Sequence, residues 1–252
     1  MSSSIWTRCA DAAEIGALEA RPWRVVEAQH VVSTRRLVDE DAEQQLLEEM
    51  LEITKPPLGN YESRLHYLLS TPFRYPPPMR GSRFASRSER GIWYGAIEQR
   101  TAFAESAYYR LLFLEGTAAD LAPLRFDVSA FTARVETARG VDLTRGPFRS
   151  YGSRIASRPS YVSSQALGRA MRQAGIEAFL YPSARDGEGG VDVGVFSPRA
   201  FASPRPSVPE TWYCVATREA VEYSKRDPFR RAVYRFPAAD FHVRGELPAP
   251  AV

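Results

Sequence analysis

Pro72 and the run Pro76-Pro77-Pro78 place four prolines within seven residues. Each fixes its own φ, offers no backbone N–H and pushes its predecessor out of the helical region. The stretch predicts a stiff, extended boundary in which no helix runs, with the principal domain starting at about residue 75. Upstream, from Trp6 to about Leu69, the sequence reads as helical and amphipathic. Asp39-Glu40-Asp41 supplies N-terminal negative charge ahead of Leu46, Leu47, Met50 and Leu51, which recur at helical spacing. Pro56-Pro57 stops that helix, and Arg64 to Leu69 begins another. Residues 1–74 are therefore expected to form a helical N-terminal extension.

Beyond the prolines, strand-like and helix-like runs alternate. Gly91 to Ile97 (GIWYGAI) is short, aromatic and β-branched, as a buried strand is, and Glu98 to Leu114 follows as a helix. Leu124 to Val135 reads as a strand and the Gly-, Pro-, Arg- and Ser-rich stretch from Arg139 to Pro159 as a long loop. Ser160 to Ala174 is a helix capped by Ser160 and ended by Gly175. Ala178 to Pro182 and Val191 to Phe196 are strands joined by the turn-rich DGEGG at 186–190. A helix near Arg218 to Lys225 and a strand near Ala232 to Phe236 complete the tail. This pattern predicts an α+β protein, a mixed sheet flanked by helices, with residues 75–206 as its main domain and 207–252 as an extension packed on the same core.

Composition excludes several classes. Hydrophobic residues make up 44% of the 252 and charged residues 25%, the mix of a globular protein. The formal charge is only +3, and the arginines are scattered, so a nucleic-acid interface has little support. Lys55 and Lys225 are the only lysines, a bias that genome composition accounts for, although arginine also grips phosphates bidentately. Cys9 and Cys214 form no CxxC, and His30, His66 and His242 show no metal-ligand spacing, so neither a metal nor a disulfide framework is expected. Asp11, Glu14 and Glu19 break any apolar leader, and no run approaches the ~18 residues of a membrane span. A cytoplasmic location is the expectation.

Four places depart from ordinary core or surface patterns. Arg80-Gly81-Ser82-Arg83 is either a solvated basic loop or one that offers N–H groups and guanidinium forks to a pyrophosphate. Trp93-Tyr94-Gly95 is either core or a stacking wall for a ring. Glu105 lies in a helix apolar on nearly every side, with Ala102, Tyr109 and Leu112 at helical steps from it, so it is paired or lines a cleft. Ser183, after Tyr181-Pro182, is either a turn residue or a hydroxyl presented at a strand end; no GxSxG surrounds it.

In the order and spacing of Arg83, Tyr94, Glu105 and Ser183, within RGSRF, WYGAIEQRTAFAE, SSQALGRAMRQAG, YPSAR and VGVFSPR, the chain resembles the RES domain family over roughly residues 75–203. The resemblance implies a fold like that of the ADP-ribosyltransferases and a toxin of a bacterial toxin–antitoxin pair, restrained by an Xre-type antitoxin. It implies NAD as substrate, with no prosthetic group, cleaved at the nicotinamide–ribose bond by hydrolysis or phosphorolysis, or used to modify a protein. Arg83, with Arg80 as the alternative, would hold the pyrophosphate, and Tyr94, Trp93 and Gln165 would complete the binding surface. Glu105 would stabilise the positive ribose, and Ser183 would orient it or Glu105. A non-catalytic nucleotide-binding module is the alternative outside enzymes. A homodimer or a toxin–antitoxin hetero-oligomer is expected, and no membrane partner.

Overall fold

The computed structural model describes residues 5–28, 40–57, 59–119, 121, 123–227, 229 and 231–250. Among them ten strands form one sheet: β1 (Gly16–Ala20), β2 (Trp23–Glu27), β3 (Trp93–Ala96), β4 (Leu124–Thr132), β5 (Val135–Asp142), β6 (Ala178–Pro182), β7 (Val191–Val195), β8 (Glu210–Ala216), β9 (Ala220–Lys225) and β10 (Val233–Pro237). Helices α1 (Ile5–Cys9), α2 (Asp41–Thr54), α3 (Tyr67–Arg74), α4 (Gln99–Glu115), α5 (Gly152–Ile155) and α6 (Val162–Gln173) accompany it. The strand order is β1-β5-β6-β7-β3-β2-β4-β8-β9-β10, antiparallel except for the parallel β5–β6 pair. The fold is the α+β class expected, with a mixed sheet and flanking helices.

The N-terminal segment is not the helical extension its composition suggests. β2 pairs with both β3 and β4 in the middle of the sheet, and β1 closes an edge against β5. The helix formers of Gly16-Ala-Leu-Glu-Ala yield to edge pairing. Trp-Arg-Val-Val-Glu is apolar toward both faces, as a central strand must be: Trp23 and Val25 pack on one cluster and Val26 on another.

Pro72 lies inside α3 rather than in an extended boundary. Proline cannot donate to the carbonyl four residues back, that of Leu68. The indole Nε1–H of Trp93 donates to that oxygen instead, at 3.3 Å, so the helix continues with its acceptor satisfied. The expected loop from Arg139 begins as the end of β5, and α5 lies within it. The expected helix at Arg218 to Lys225 is β9, where Val221 and Tyr223 alternate inward onto the core. α2 forms as expected and ends at Thr54 before Pro56-Pro57. His30, Asp39 and the side chains of Leu47 and Leu51 lie outside the described residues.

Three apolar clusters fill the protein. One lies between the inner side of α4 and strands β4, β8 and β9, and a second packs α1 and α6 with Phe84, Phe179 and Tyr181. A third, on the opposite face, gathers Leu69, Phe73, Trp93, Val193 and Val195. β3 therefore sends Trp93 to the third cluster and Tyr94 the other way, toward the cleft described next.

Candidate functional site

A cleft of about 350 Å³ opens between α4 and the middle of the sheet. It is lined by Arg24, Arg83, Tyr94, Glu105, Tyr181 and Asp192, among others. α4 divides sharply: Phe103, Ala104, Ala107, Tyr108 and Leu111 face the core, whereas Ala102, Glu105, Ser106 and Tyr109 face the cleft. Tyr109, which its spacing from Glu105 marked as core, is 53% exposed. Glu105 has no ion pair among the described residues. It accepts a hydrogen bond from Ser183 Oγ at 2.7 Å.

Ser183 is aimed by its own turn. Its Oγ accepts from the backbone N–H groups of Arg185 and Asp186, each at 3.2 Å. With both acceptor directions in use, the single hydroxyl hydrogen points at Glu105. The turn is fixed from below, where Asp186 pairs with Arg100 and accepts from Thr101 Oγ1 at 2.7 Å. The buried Arg185 guanidinium stacks 3.4 Å from the Tyr108 ring centroid.

Arg83 is buried, with its guanidinium over the Tyr161 ring and Nη1 donating to Ser157 O at 2.8 Å. Nη1 also donates to Ile155 O at 3.4 Å, whereas Nε and Nη2 have no acceptor among the described residues. The loop that carries it needs Gly81, whose φ is +72° and whose Cβ would fall 2.4 Å from Ala85 O. Gln165 Nε2 holds the loop by donating toward the carbonyls of Arg80, Ser82 and Ala85 at 3.0–3.3 Å. Gln165 thus supports the site from behind instead of lining it. Arg80 is exposed and outside the cleft, so of the two candidate arginines the structure brings Arg83 to Glu105.

Tyr94 hydroxyl lies 3.0 Å from Ser82 Oγ and accepts from Phe84 N at 3.2 Å, tying β3 to the same loop. Burial pushes this phenol up to about 12. Trp93 does not join it: fully buried in the third cluster, it stands on the other face of β3, as strand alternation requires, and the expectation that it walls a ligand is corrected.

Two further residues reach the cleft that sequence patterns did not single out. Arg24, on β2, donates from Nη1 to Tyr94 O at 2.6 Å, and its buried Nε has no partner. No carboxylate of the described residues pairs with it, and burial alone lowers its guanidinium to about 10, so it stays charged at neutral pH. Asp192, on β7, is 1% exposed with neither carboxyl oxygen hydrogen-bonded. Each is a charge set among strand-forming apolar residues, Arg24 between Trp23 and Val25-Val26 and Asp192 within VDVGV, and that interruption is the signal that could have found them. Arg24, Ser82 and Tyr94 also line a second groove of about 410 Å³, walled by Tyr67, Tyr75 and Pro76 to Pro78.

The arrangement is a cleft with one buried and one half-buried guanidinium, an aromatic wall and a carboxylate held by a serine, suited to an anionic ligand that carries a sugar or ring. The chain belongs to the RES domain family, whose model matches residues 57–216. No curated protein matches the sequence. Among solved structures, the chain is similar to a chain in the crystal structure of the M. tuberculosis MbcT–MbcA toxin–antitoxin complex. The two are 14% identical, with 86% of this chain and 94% of that chain covered and a TM-score of 0.47.

Proposed function

We propose that this protein binds NAD in the cleft beside Glu105 and cleaves the nicotinamide–ribose bond, acting in the cytoplasm as the toxin of a toxin–antitoxin pair. The observation that carries the reading is the hydrogen bond from Ser183 Oγ to Glu105, 2.7 Å long, in a cleft that Arg83 and Tyr94 also line. Membership of the RES domain family supports it.

Breaking this N-glycosidic bond expels neutral nicotinamide and leaves an oxocarbenium-like ribose. Glu105 carries the negative charge that stabilises it, and Ser183 fixes the carboxylate in place before the reaction, which limits reorganisation in the transition state. Arg83 and Arg24 supply two guanidiniums for the two phosphates, and Tyr94 gives the ring or its ribose a surface. The adjoining groove leaves room for the rest of a dinucleotide. Nicotinamide leaves without needing a proton, so no general acid is required. An Xre-type antitoxin is the proposed restraint.

The test is to incubate the purified protein with NAD, with and without phosphate, and separate the products. ADP-ribose identifies hydrolysis and ADP-ribose phosphate identifies phosphorolysis. A labelled protein band without either identifies mono-ADP-ribosyl transfer. NAD that remains intact, alone and with cell extract, overturns the catalytic reading in favour of a binding module.

A further inference from the structure

Asp192 has no place in the chemistry above, yet it sits at the floor of the same cleft. β7 sets it directly across from Tyr181 on β6 and Ala96 on β3, and side chains at such opposed positions share a face. Tyr181 and Asp192 both line the cleft that Glu105 enters from α4. The groups around Asp192 are therefore Glu105 on α4, Tyr181 on β6, Ser183 just beyond it, and Arg83 from the loop before β3. No arginine or lysine pairs with either carboxyl among the described residues, and both Asp192 oxygens are sealed from solvent without a donor. A buried carboxylate so placed would be an unpaired charge facing a like charge, one of the costliest arrangements in a protein interior. One proton shared between the two removes both penalties, because the acid that holds it becomes a donor and its neighbour an acceptor.

We infer that Asp192 is kept as the neutral acid and donates its proton to the carboxylate of Glu105, so that Ser183 and Asp192 clamp Glu105 from two sides. Asp192 is then a positioning residue: it touches no reacting atom and acts through the carboxylate that does. Burial first, and the nearness of Glu105 second, hold its carboxyl well above the usual carboxylate range, with Arg83 and Ser183 opposing. The inference rests on the NAD-cleaving reading only for its kinetic consequences. The protonated pair itself is a property of the folded chain.

Asn keeps the donor and loses the titration, whereas Ala loses both. Asp192→Asn is expected to retain NAD cleavage within a few-fold of wild type. It should also abolish the alkaline fall in kcat that deprotonation of Asp192 imposes. Asp192→Ala is expected to lower kcat on the order of tenfold or more while leaving KM for NAD nearly unchanged, since Glu105 loses one clamp but the binding groups stay. Independently of any activity, infrared difference spectra at neutral pH should show the carbonyl band of a protonated carboxylic acid in the wild type and not in Asp192→Asn. An Asp192→Ala enzyme with wild-type kcat, an alkaline limb that survives in Asp192→Asn, or no acid band in the wild type would each overturn the inference. If the wild type cleaves no NAD but the acid band is present and lost in Asp192→Asn, the pair stands and it is the proposed function that falls.

Discussion

Glu105, Ser183 and Arg83 differ in what each can lose without the fold noticing. Glu105→Gln keeps size and an acceptor for Ser183 but removes the charge. It should preserve NAD affinity and cost on the order of 2 to 4 kcal/mol of barrier, read as kcat over that range; near-normal turnover would remove Glu105 from the chemistry. Arg83→Lys cannot reproduce the fork that reaches Ser157 O while leaving donors for a ligand, so calorimetry should find clearly weaker NAD binding. Arg80→Lys, on an exposed side chain, should bind as the wild type does. The spacing of Arg83, Tyr94, Glu105 and Ser183 made these residues legible, because each sits in its own recognisable stretch. Arg24 and Asp192 were not, since a single charge in a strand carries no spacing. Asp192 also links stability to pH. Its folded pKa lies above the unfolded carboxylate value of about 4, so its contribution is complete below that value and is lost as pH rises toward the folded pKa. Asp192→Asn removes the dependence, and its Tm advantage over wild type should widen as pH is raised from about 4. A gap that stays constant across that range would contradict the sign.

Elements misread from sequence share a cause: tertiary pairing outweighs local preference. β1 is built of helix formers, and β9 carries Glu222 on its outer side and ends in Lys225, so neither shows an isolated strand signature. Pro72 breaks a helix only where nothing else satisfies the carbonyl it abandons, and here Trp93, 25 residues away, does so. By contrast β6 and α4 were legible because their apolar residues and the turns around them agree with their final environment. α6 has a consequence for the site. Gly168 faces the loop that carries Arg83 so closely that a Cβ would fall 2.0 Å from Phe84 O, a backbone atom that cannot swing aside. Gly168→Ala must therefore push the Arg83 loop away from α6. The expected result is a lowered Tm together with weaker NAD binding, although residue 168 touches neither the cleft nor a ligand. A variant with unchanged affinity would show that the loop adjusts without moving Arg83.

At the scale of the molecule, residues 57–216 hold Arg83, Tyr94, Glu105, Ser183 and Asp192, yet four strands of the sheet, β1, β2, β9 and β10, lie outside them. β2 fills the gap between β3 and β4, with five residues of β4 paired to it and Trp23 and Val25 packed against the α4 cluster. β9 and β10 continue the sheet past β8, and Val221, Tyr223 and Phe236 cover the core side of α4. A chain cut to residues 57–216 would leave the backbone donors and acceptors of four strands open, along β3, β4, β5 and β8, and would expose Phe103 and Trp212, both fully buried in the whole protein. It would also lack Arg24. Removal of α2 alone is a different matter, because Leu46 at 59%, Met50 at 57% and Ile53 at 83% are exposed and contribute little to the core. We therefore expect the 57–216 fragment to be insoluble or to lack the cooperative thermal transition of the full chain. Leu46→Glu combined with Met50→Glu in the full chain should leave Tm within a degree or two, since surface changes usually cost under about 0.5 kcal/mol. Circular dichroism melts and size-exclusion profiles of the two proteins decide the matter, and a monodisperse, cooperatively melting 57–216 fragment would mean that β2 is an addition to the core instead of part of it.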